Sequence, residues 1–165
     1  MKTLLSLAAL ALLLGASAAN AKTFPVPDED TIATVSVPDD WSPNAYDGGV
    51  EATSPDSGVY IAIEQVAADD VKSAVEEGLK FFIKQGVEID PKTQKTQDIK
   101  INGLAAFDMD FSGKDKDGPA EISLTLVETN AKAKFLLLYY WGSPAGAKAN
   151  AAGLKAISDS IQATK

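Results

Sequence analysis

The chain lacks cysteine and histidine, and all fifteen of its basic residues are lysine. Without histidine or cysteine it has no Ser-His or Cys-His nucleophile pair, no imidazole base and no imidazole or thiolate metal ligand. Without arginine it has no bidentate guanidinium fork for phosphate or carboxylate groups. Carboxylates, lysines, tyrosines and serines are the side chains left for chemistry, and we expect no cofactor and no metal site.

The excess of acidic residues argues against partners that carry a high negative charge. The chain carries 23 acidic against 15 basic residues, a net charge of −8. Proteins that bind nucleic acid or anionic membranes gather lysine and arginine into a positive patch, which is the reverse of this balance. The sequence therefore predicts no nucleic-acid partner and no stable membrane anchor.

The first residues have the pattern of a secretory signal. Lys2 precedes an apolar run over residues 4–14, and "ANA" at 19–21 fits a signal-peptidase site, with "ASA" at 16–18 as the alternative. The run is shorter than the ~20 apolar residues that a membrane helix needs. We expect residues 1–21 to be a cleaved signal peptide and the mature protein to be periplasmic.

The remainder, residues 22–165, has the length of one domain. Alternating apolar residues and turn signals predict strands at 31–37, 49–54, 59–66, 96–101, 104–111, 120–129 and 132–141. Apolar residues at helical spacing predict a helix over 70–85, with Val71, Val75, Leu79, Phe82 and Ile83 on its inner side. Ser143 and Pro144 open a second predicted helix that ends near Gln162.

The last predicted strand indicates how these elements are layered. In 132–141 both alternating sets of side chains are apolar, whereas a strand exposed on one face alternates apolar with polar residues. A strand covered on both faces requires a helical layer on each side. We therefore predict an α+β fold: an α/β/α sandwich whose central antiparallel sheet of about six to seven strands is flanked by two helices.

This order of elements resembles a known superfamily. The stretches "VSVPDDW", "SPDSGVYIAIEQV" and "IKINGLAAFDMDF", and an aromatic strand before a C-terminal "ISDSI" helix, are similar to the PsbP-like α/β/α sandwich proteins, whose small exported bacterial members include the DcrB-like group. The resemblance implies a non-enzymatic domain that serves as a binding or assembly surface. Its members bind different partners, and this chain lacks the histidine and arginine available to others, so no partner residue is carried across.

One loop is the best candidate binding site. The stretch at 36–49 follows the first predicted strand and is long and aromatic. Its candidate contact residues are Asp39, Asp40, Trp41, Tyr46 and Asp47. The competing interpretation is that the aspartates are turn residues and that Trp41 folds back over the core.

Secondary candidates lie on later strands. Asp108 and Asp110 share one face of a strand and suit either a carboxylate pair or an exposed strand surface. Trp141 lies at a strand end, where its N–H could reach a partner. The "KDKDG" stretch at 114–118 lacks the later ligands of a calcium loop and is interpreted as a charged turn.

These patterns favour a protein that is not an enzyme. We expect an exported accessory protein that works through protein–protein contact in the periplasm. The alternative is a carrier or sensor for a small apolar or cationic ligand, held between sheet and helix. A carboxylate-based hydrolase is a weaker alternative. The sequence does not identify the partner and does not define the oligomeric state.

Overall fold

The computed structural model describes residues 20–164, which form ten strands and three α-helices. The strands are β1 (Ala21–Val26), β2 (Ala33–Pro38), β3 (Asn44–Tyr46), β4 (Gly49–Thr53), β5 (Val59–Ala67), β6 (Glu88–Ile101), β7 (Leu104–Asp115), β8 (Gly118–Glu128), β9 (Lys134–Gly142) and β10 (Gln162–Ala163). The helices are α1 (Val71–Lys84), α2 (Pro144–Ala149) and α3 (Ala151–Ser160). Except for its last two residues, the predicted signal peptide lies outside the described residues.

Seven antiparallel strands form the main sheet in the order β3-β4-β5-β9-β8-β7-β6. Strand β9 pairs with β5 on one side and with β8 on the other, and its adjacent residues Leu136 and Leu137 are both fully buried. The central, doubly covered strand that the sequence predicts is thereby confirmed. Asn102 and Gly103 both have positive φ and join β6 to β7 in the tight turn expected of this dipeptide.

Each face of the main sheet has its own cover. On one face α1 packs through Leu79 and Phe82 against a core that includes Leu137 of β9. On the other face lie α3 and a second sheet, of order β1-β2-β10, around a core that includes Leu136 and Ile157. We call these the α1 face and the α3 face. None of the helices within residues 20–164 is long and apolar enough to cross a membrane.

The second sheet is an addition to the predicted architecture. The strand predicted at 31–37 is β2, but it pairs with β1 and β10 and not with the main sheet. Strand β1 falls in a stretch for which the sequence pattern predicts no helix or strand. Its Phe24 and Val26 alternate into the core on either side of Pro25, and Pro25 weakened the strand signal.

The C-terminal helix is in fact two helices. It opens as predicted, with the Ser143 side chain accepting a hydrogen bond from the backbone N–H of Gly146 at 3.0 Å. It breaks at Asn150, where the side-chain amide donates to the Asp56 carboxylate at 2.9 Å. This long-range bond ties the break to the turn between β4 and β5. One prediction for α1 is wrong: Ile83 was expected on the inner side of the helix, but it is 58% exposed.

Candidate functional site

A cleft of about 710 Å³ opens on the α1 face, between α1 and the sheet edge formed by β3, β4, β5 and the adjoining β9. We call it the tyrosine–glutamate cleft. Its lining consists of Tyr46, Glu51, Tyr60, Ala62, Glu64, Glu77, Gly78, Lys80, Phe81, Lys84 and Tyr139.

The floor of the cleft is formed by residues that alternate along strand β5. Tyr60, Ala62 and Glu64 are alternate residues of β5, so they point to the same face of the sheet. Ala62 pairs with Glu51 on β4 and with Tyr139 on β9. A small residue between two long side chains leaves a depression at the centre of the row.

A second row extends the cleft to the edge of the sheet. Tyr46 on β3 pairs with Gly49 on β4, which pairs in turn with Glu64 on β5. Gly49 has no side chain to separate its neighbours. The Tyr46 hydroxyl therefore spans the row and donates a hydrogen bond to Oε2 of Glu64 at 3.2 Å.

Hydroxyl and amide groups hold both carboxylates of the cleft floor. Oε1 of Glu64 accepts a hydrogen bond from the Tyr139 hydroxyl at 2.5 Å. Oε2 of Glu51 accepts one from the Tyr60 hydroxyl at 2.8 Å, and Oε1 accepts one from the Asn44 amide at 3.0 Å. With the bond from Tyr46, every oxygen of the two carboxylates has a neutral donor, so both side chains are fixed in place.

The helix closes over the floor because it carries a glycine at the contact. Gly78 is buried, and a Cβ atom built on it would lie 2.6 Å from Cε1 of Tyr139. Three residues further along, Phe81 packs on Tyr60 with the ring centroids 5.5 Å apart. The cleft therefore has aromatic walls on both the sheet and the helix.

The tyrosine hydroxyls of the cleft are held in their protonated form. Burial, followed by the charge of Glu64 and the hydrogen bond to it, raises the pKa of Tyr46 and of Tyr139 well above the usual value of 10.0. Burial and the hydrogen bond to Glu51 raise the pKa of Tyr60 in the same direction. All three hydroxyls therefore act as donors to the carboxylates across the physiological range.

The charges of the cleft are not paired with one another. Glu51 and Glu64 are half-buried, whereas Glu77, Lys80 and Lys84 are exposed on α1. Within residues 20–164, the ion pairs join other side chains and include none of these five. Among the described residues, the hydrogen-bond partners of the two inner carboxylates are therefore neutral groups.

The predicted loop at 36–49 reaches the cleft through one residue only. Trp41 is 3% exposed, and a Cβ atom built on Gly153 of α3 would lie 2.8 Å from its Cζ2 atom, so the indole covers the core on the α3 face. Asp39 and Asp40 are exposed in a short 3₁₀ turn beside it. Of the five candidate contact residues in that loop, Tyr46 lines the cleft; the binding role of the loop stays a prediction.

The candidate pair of aspartates lies on the α3 face. Asp108 is 7% exposed and accepts hydrogen bonds from Thr125 Oγ1 at 2.6 Å, Ser123 Oγ at 2.7 Å and Gln97 Nε2 at 3.2 Å. Burial raises the pKa of Asp108, but these bonds outweigh it and hold the pKa below its usual range. Burial and the charge of Asp108 raise the pKa of the half-buried Asp110. Asp108 is thus enclosed by protein donors.

The remaining candidates have structural partners. The Trp141 indole N–H donates to Oδ2 of Asp115 at 3.0 Å. Oδ1 of Asp115 accepts a hydrogen bond from the backbone N–H of Asp117 at 2.8 Å. These bonds shape the turn between β7 and β8, which is the role predicted for "KDKDG". Asp47, the last candidate of the loop at 36–49, is exposed in the turn between β3 and β4.

Sequence reasoning missed most of the cleft floor. Glu51, Tyr60 and Glu64 are not among the predicted site residues, because the apolar residues that alternate with Tyr60 and Glu64 already account for a strand at 59–66. A usable signal was present, since "VYIAIEQV" places an aromatic, a small and an acidic residue on one side of a strand. The pairing of that side with Tyr139 and Tyr46 depends on strand order, which the sequence did not contain.

Comparison with known proteins identifies the fold. No family model and no curated protein matches the chain. Among solved structures, LpqN of Mycobacterium tuberculosis, described as involved in cell envelope biogenesis, aligns over 88% of this chain and 92% of its own with a TM-score of 0.53 and 15% identity. Cyanobacterial PsbP (CyanoP) from Synechocystis sp. PCC 6803 aligns over 91% and 96% with a TM-score of 0.53 and 11% identity.

A third neighbour aligns as well but is a longer chain. A protein from Bacteroides thetaiotaomicron aligns over 87% of this chain and 48% of its own, with a TM-score of 0.55 and 16% identity. At these identities the likeness concerns the fold alone. The chain therefore has the PsbP-like fold that its sequence resembles, and its function has to be argued from its own site.

Proposed function

We propose that the protein is an exported, non-catalytic binding protein that acts through contact with a partner in the periplasm, and that the tyrosine–glutamate cleft is its recognition site. The observation that carries this proposal is the convergence of three tyrosine hydroxyls on two glutamates at the floor of an open cleft. Sites that bind ligands typically combine apolar walls with a few fixed polar groups. The export step rests on the N-terminal signal pattern.

The chemistry of the cleft supports binding over catalysis. A nucleophile is activated by a lowered pKa or by an adjacent base. The glutamates are adjacent acceptors, but burial raises the pKa values of all three tyrosines, which opposes the loss of their protons. A hydrolase built on Asp108 and Asp110 would need Asp108 to face a substrate, whereas its oxygens accept hydrogen bonds from three protein groups.

A small-ligand carrier is the second candidate function. The cleft volume of about 710 Å³ lies within the roughly 300–1,000 Å³ of typical small-molecule sites. The alternative predicted from the sequence is a small ligand held between the sheet and a helix, and the cleft between the sheet and α1 supports it. Both candidates use the same site, so one experiment addresses them together.

Site-directed photocrosslinking in living cells tests the proposal. In one variant a photoreactive residue replaces Lys80, which is exposed at the cleft. In the control variant it replaces Lys155, which is exposed on α3, on the opposite face of the main sheet. We expect a discrete adduct of higher mass from position 80 and none from position 155. Adducts from both positions at equal yield, or from 155 alone, would contradict the assignment of the cleft.

A further inference from the structure

The direction of the hydrogen bonds in the tyrosine–glutamate cleft defines what it can accept. A hydroxyl that donates its only hydrogen keeps two lone pairs, and a carboxylate has about four acceptor positions. Tyr46, Tyr60 and Tyr139 each commit their hydrogen to a glutamate, and each carboxylate oxygen accepts one such bond from tyrosine or asparagine. The floor of the cleft therefore presents free acceptors and no free hydroxyl donor.

The electrostatics of the floor point the same way. Glu51 and Glu64 are half-buried and have neutral hydrogen-bond donors, and neither forms an ion pair among the described residues. Charge interactions are stronger at such half-buried positions than in water, because the surroundings are less polarisable. Lys80 and Lys84 are exposed on α1, where solvent and salt screen them more effectively. The inner negative charge thus dominates at the floor.

The walls of the cleft suit the same kind of ligand. Tyr60 on the sheet and Phe81 on α1 pack on each other with their ring centroids 5.5 Å apart and together form an aromatic wall of the cleft, and Tyr139 forms part of the floor. Aromatic faces attract ammonium and guanidinium groups through the ring quadrupole. The small side chain of Ala62 leaves a depression in the lining that can take the chain that carries such a group.

We propose that the tyrosine–glutamate cleft binds an organic cation with several N–H donors, a primary ammonium or guanidinium group on an aliphatic chain. This proposal rests on the cleft being the recognition site and adds the chemical class of its occupant. The cation donates to Glu51 and Glu64 at the floor, and its aliphatic chain lies against the aromatic walls. Two sources share this chemistry: a basic side chain of a partner protein and a free polyamine.

Isothermal titration calorimetry with three probes tests the class of ligand. Spermidine represents a free polyamine, the peptide acetyl-Gly-Lys-Gly-amide represents a protein side chain, and inorganic phosphate represents an anion. We expect heat of binding from at least one amine and none from phosphate. Binding of spermidine alone assigns a free amine, and binding of the peptide assigns a partner's side chain.

Matched variants locate the binding. Glu64→Gln and Glu51→Gln each remove one charge while keeping the shape of the side chain, and we expect each to weaken amine binding about tenfold because a charge-assisted hydrogen bond is lost. Glu121→Gln changes an exposed carboxylate outside the cleft and should leave the affinity unchanged. If one of the two glutamate variants misfolds, the other still tests whether the cleft binds the amine.

Three outcomes would overturn the proposal. They are the absence of binding by both amines, an equal loss of affinity in Glu121→Gln, and binding of phosphate that Lys80→Gln abolishes. If any of these is found while position 80 still crosslinks to a partner, the cleft remains the recognition site and only the cationic class of its occupant is wrong. If position 80 gives no crosslink as well, the proposed function fails with it.

Discussion

Both faces of the main sheet have a helix in close contact with an aromatic ring, but only on the α1 face does this contact border an open cleft. On each face a helical glycine lies against an aromatic ring: Gly153 against Trp41 on the α3 face, and Gly78 against Tyr139 on the α1 face. On the α3 face the second sheet and the indole complete the cover. On the α1 face a single helix leaves the edge strands open, and the ring beneath it becomes the floor of a cleft.

The carboxylates of the two faces differ in the same way. Asp108 and Glu64 both accept hydrogen bonds from hydroxyl groups, but Asp108 is enclosed by three protein donors while Glu64 borders the cleft. A carboxylate with filled acceptor positions is therefore structural where protein encloses it, and it is available to a ligand where it borders open space. The following predictions test whether the α3 face is the structural one.

Replacement of Trp41 should have the largest effect on stability. Trp41→Ala leaves a cavity under α3, and we expect the free energy of unfolding to fall by about 3–5 kcal/mol. Denaturant unfolding measures it, with Trp41→Phe as the milder control. A loss below ~1 kcal/mol would show that the indole is not a core residue and would return the loop at 36–49 to the candidate contact surfaces.

Asp108→Asn should be the next most damaging change. It removes a charged acceptor from three donors, of which Thr125 is buried and Ser123 is half-buried, and this costs about 2 kcal/mol. The depressed pKa of Asp108 has a further consequence: its stabilising contribution is present above the unfolded pKa of 3.8 and is lost as the pH falls below it.

The matched control for Asp108 is the exposed Asp39. Asp39→Asn should change stability by less than ~0.5 kcal/mol. Denaturant unfolding of both variants between neutral and acid pH measures the two effects together. Equal costs at the two positions, or an acid dependence that Asp108→Asn leaves intact, would remove the distinction between an enclosed and an exposed acid.

The two helical glycines allow a direct comparison of the faces. Alanine gains ~1 kcal/mol of helix propensity over glycine, but a Cβ atom within 3 Å of a ring requires a shift that costs about 1–3 kcal/mol. Both Gly153→Ala and Gly78→Ala should therefore destabilise, by about 1 kcal/mol on balance. Only Gly78→Ala should also weaken the binding of the cleft's ligand, since it displaces Tyr139; an equal effect of Gly153→Ala on binding would contradict this account.

Raising the pH should have the smallest of these effects on the stability of the folded protein. All four tyrosines have raised pKa values, Tyr140 to about 12 through burial and the charge of Glu121. Because the unfolded chain loses these protons near pH 10 and the folded chain does so later, stability is complete below pH ~10 and falls as the pH rises above it. Absorbance at 295 nm should show tyrosinate forming above pH ~10 in the folded protein and near pH ~10 in denaturant. Coincident titrations would show that the hydroxyls are free.

The sheet was predictable wherever local pattern carried the information. The Asn102-Gly103 turn and the two apolar faces of β9 correctly implied a central strand among hairpin neighbours. Strand β6 begins at Glu88, eight residues before its predicted start, because its early part is polar and contains Pro91. There hydroxyl groups replace regular pairing: Thr93 Oγ1 donates to the backbone carbonyl of Asp90 at 2.7 Å and accepts from the backbone N–H of Ser112 at 2.8 Å.

The candidate site was less predictable, for a physical reason. Alternation identifies which residues share a face, as it does for Tyr60 and Glu64, but not which strands lie side by side. Tyr139 is 75 positions from Glu64 and reaches it because β9 inserts between β5 and β8. Long-range register, and the absence of a side chain at Gly49, created the cleft from residues that individually look like ordinary strand positions.

Mapping of the amide resonances of the labelled protein during titration with the amine that binds in calorimetry, spermidine or the lysine peptide, tests the central claim most directly. The account predicts that shifts concentrate in β3, β4, β5, β9 and α1 around the tyrosine–glutamate cleft and disappear in Glu64→Gln. Shifts concentrated in α3 and the second sheet, or shifts that persist unchanged in Glu64→Gln, would contradict it.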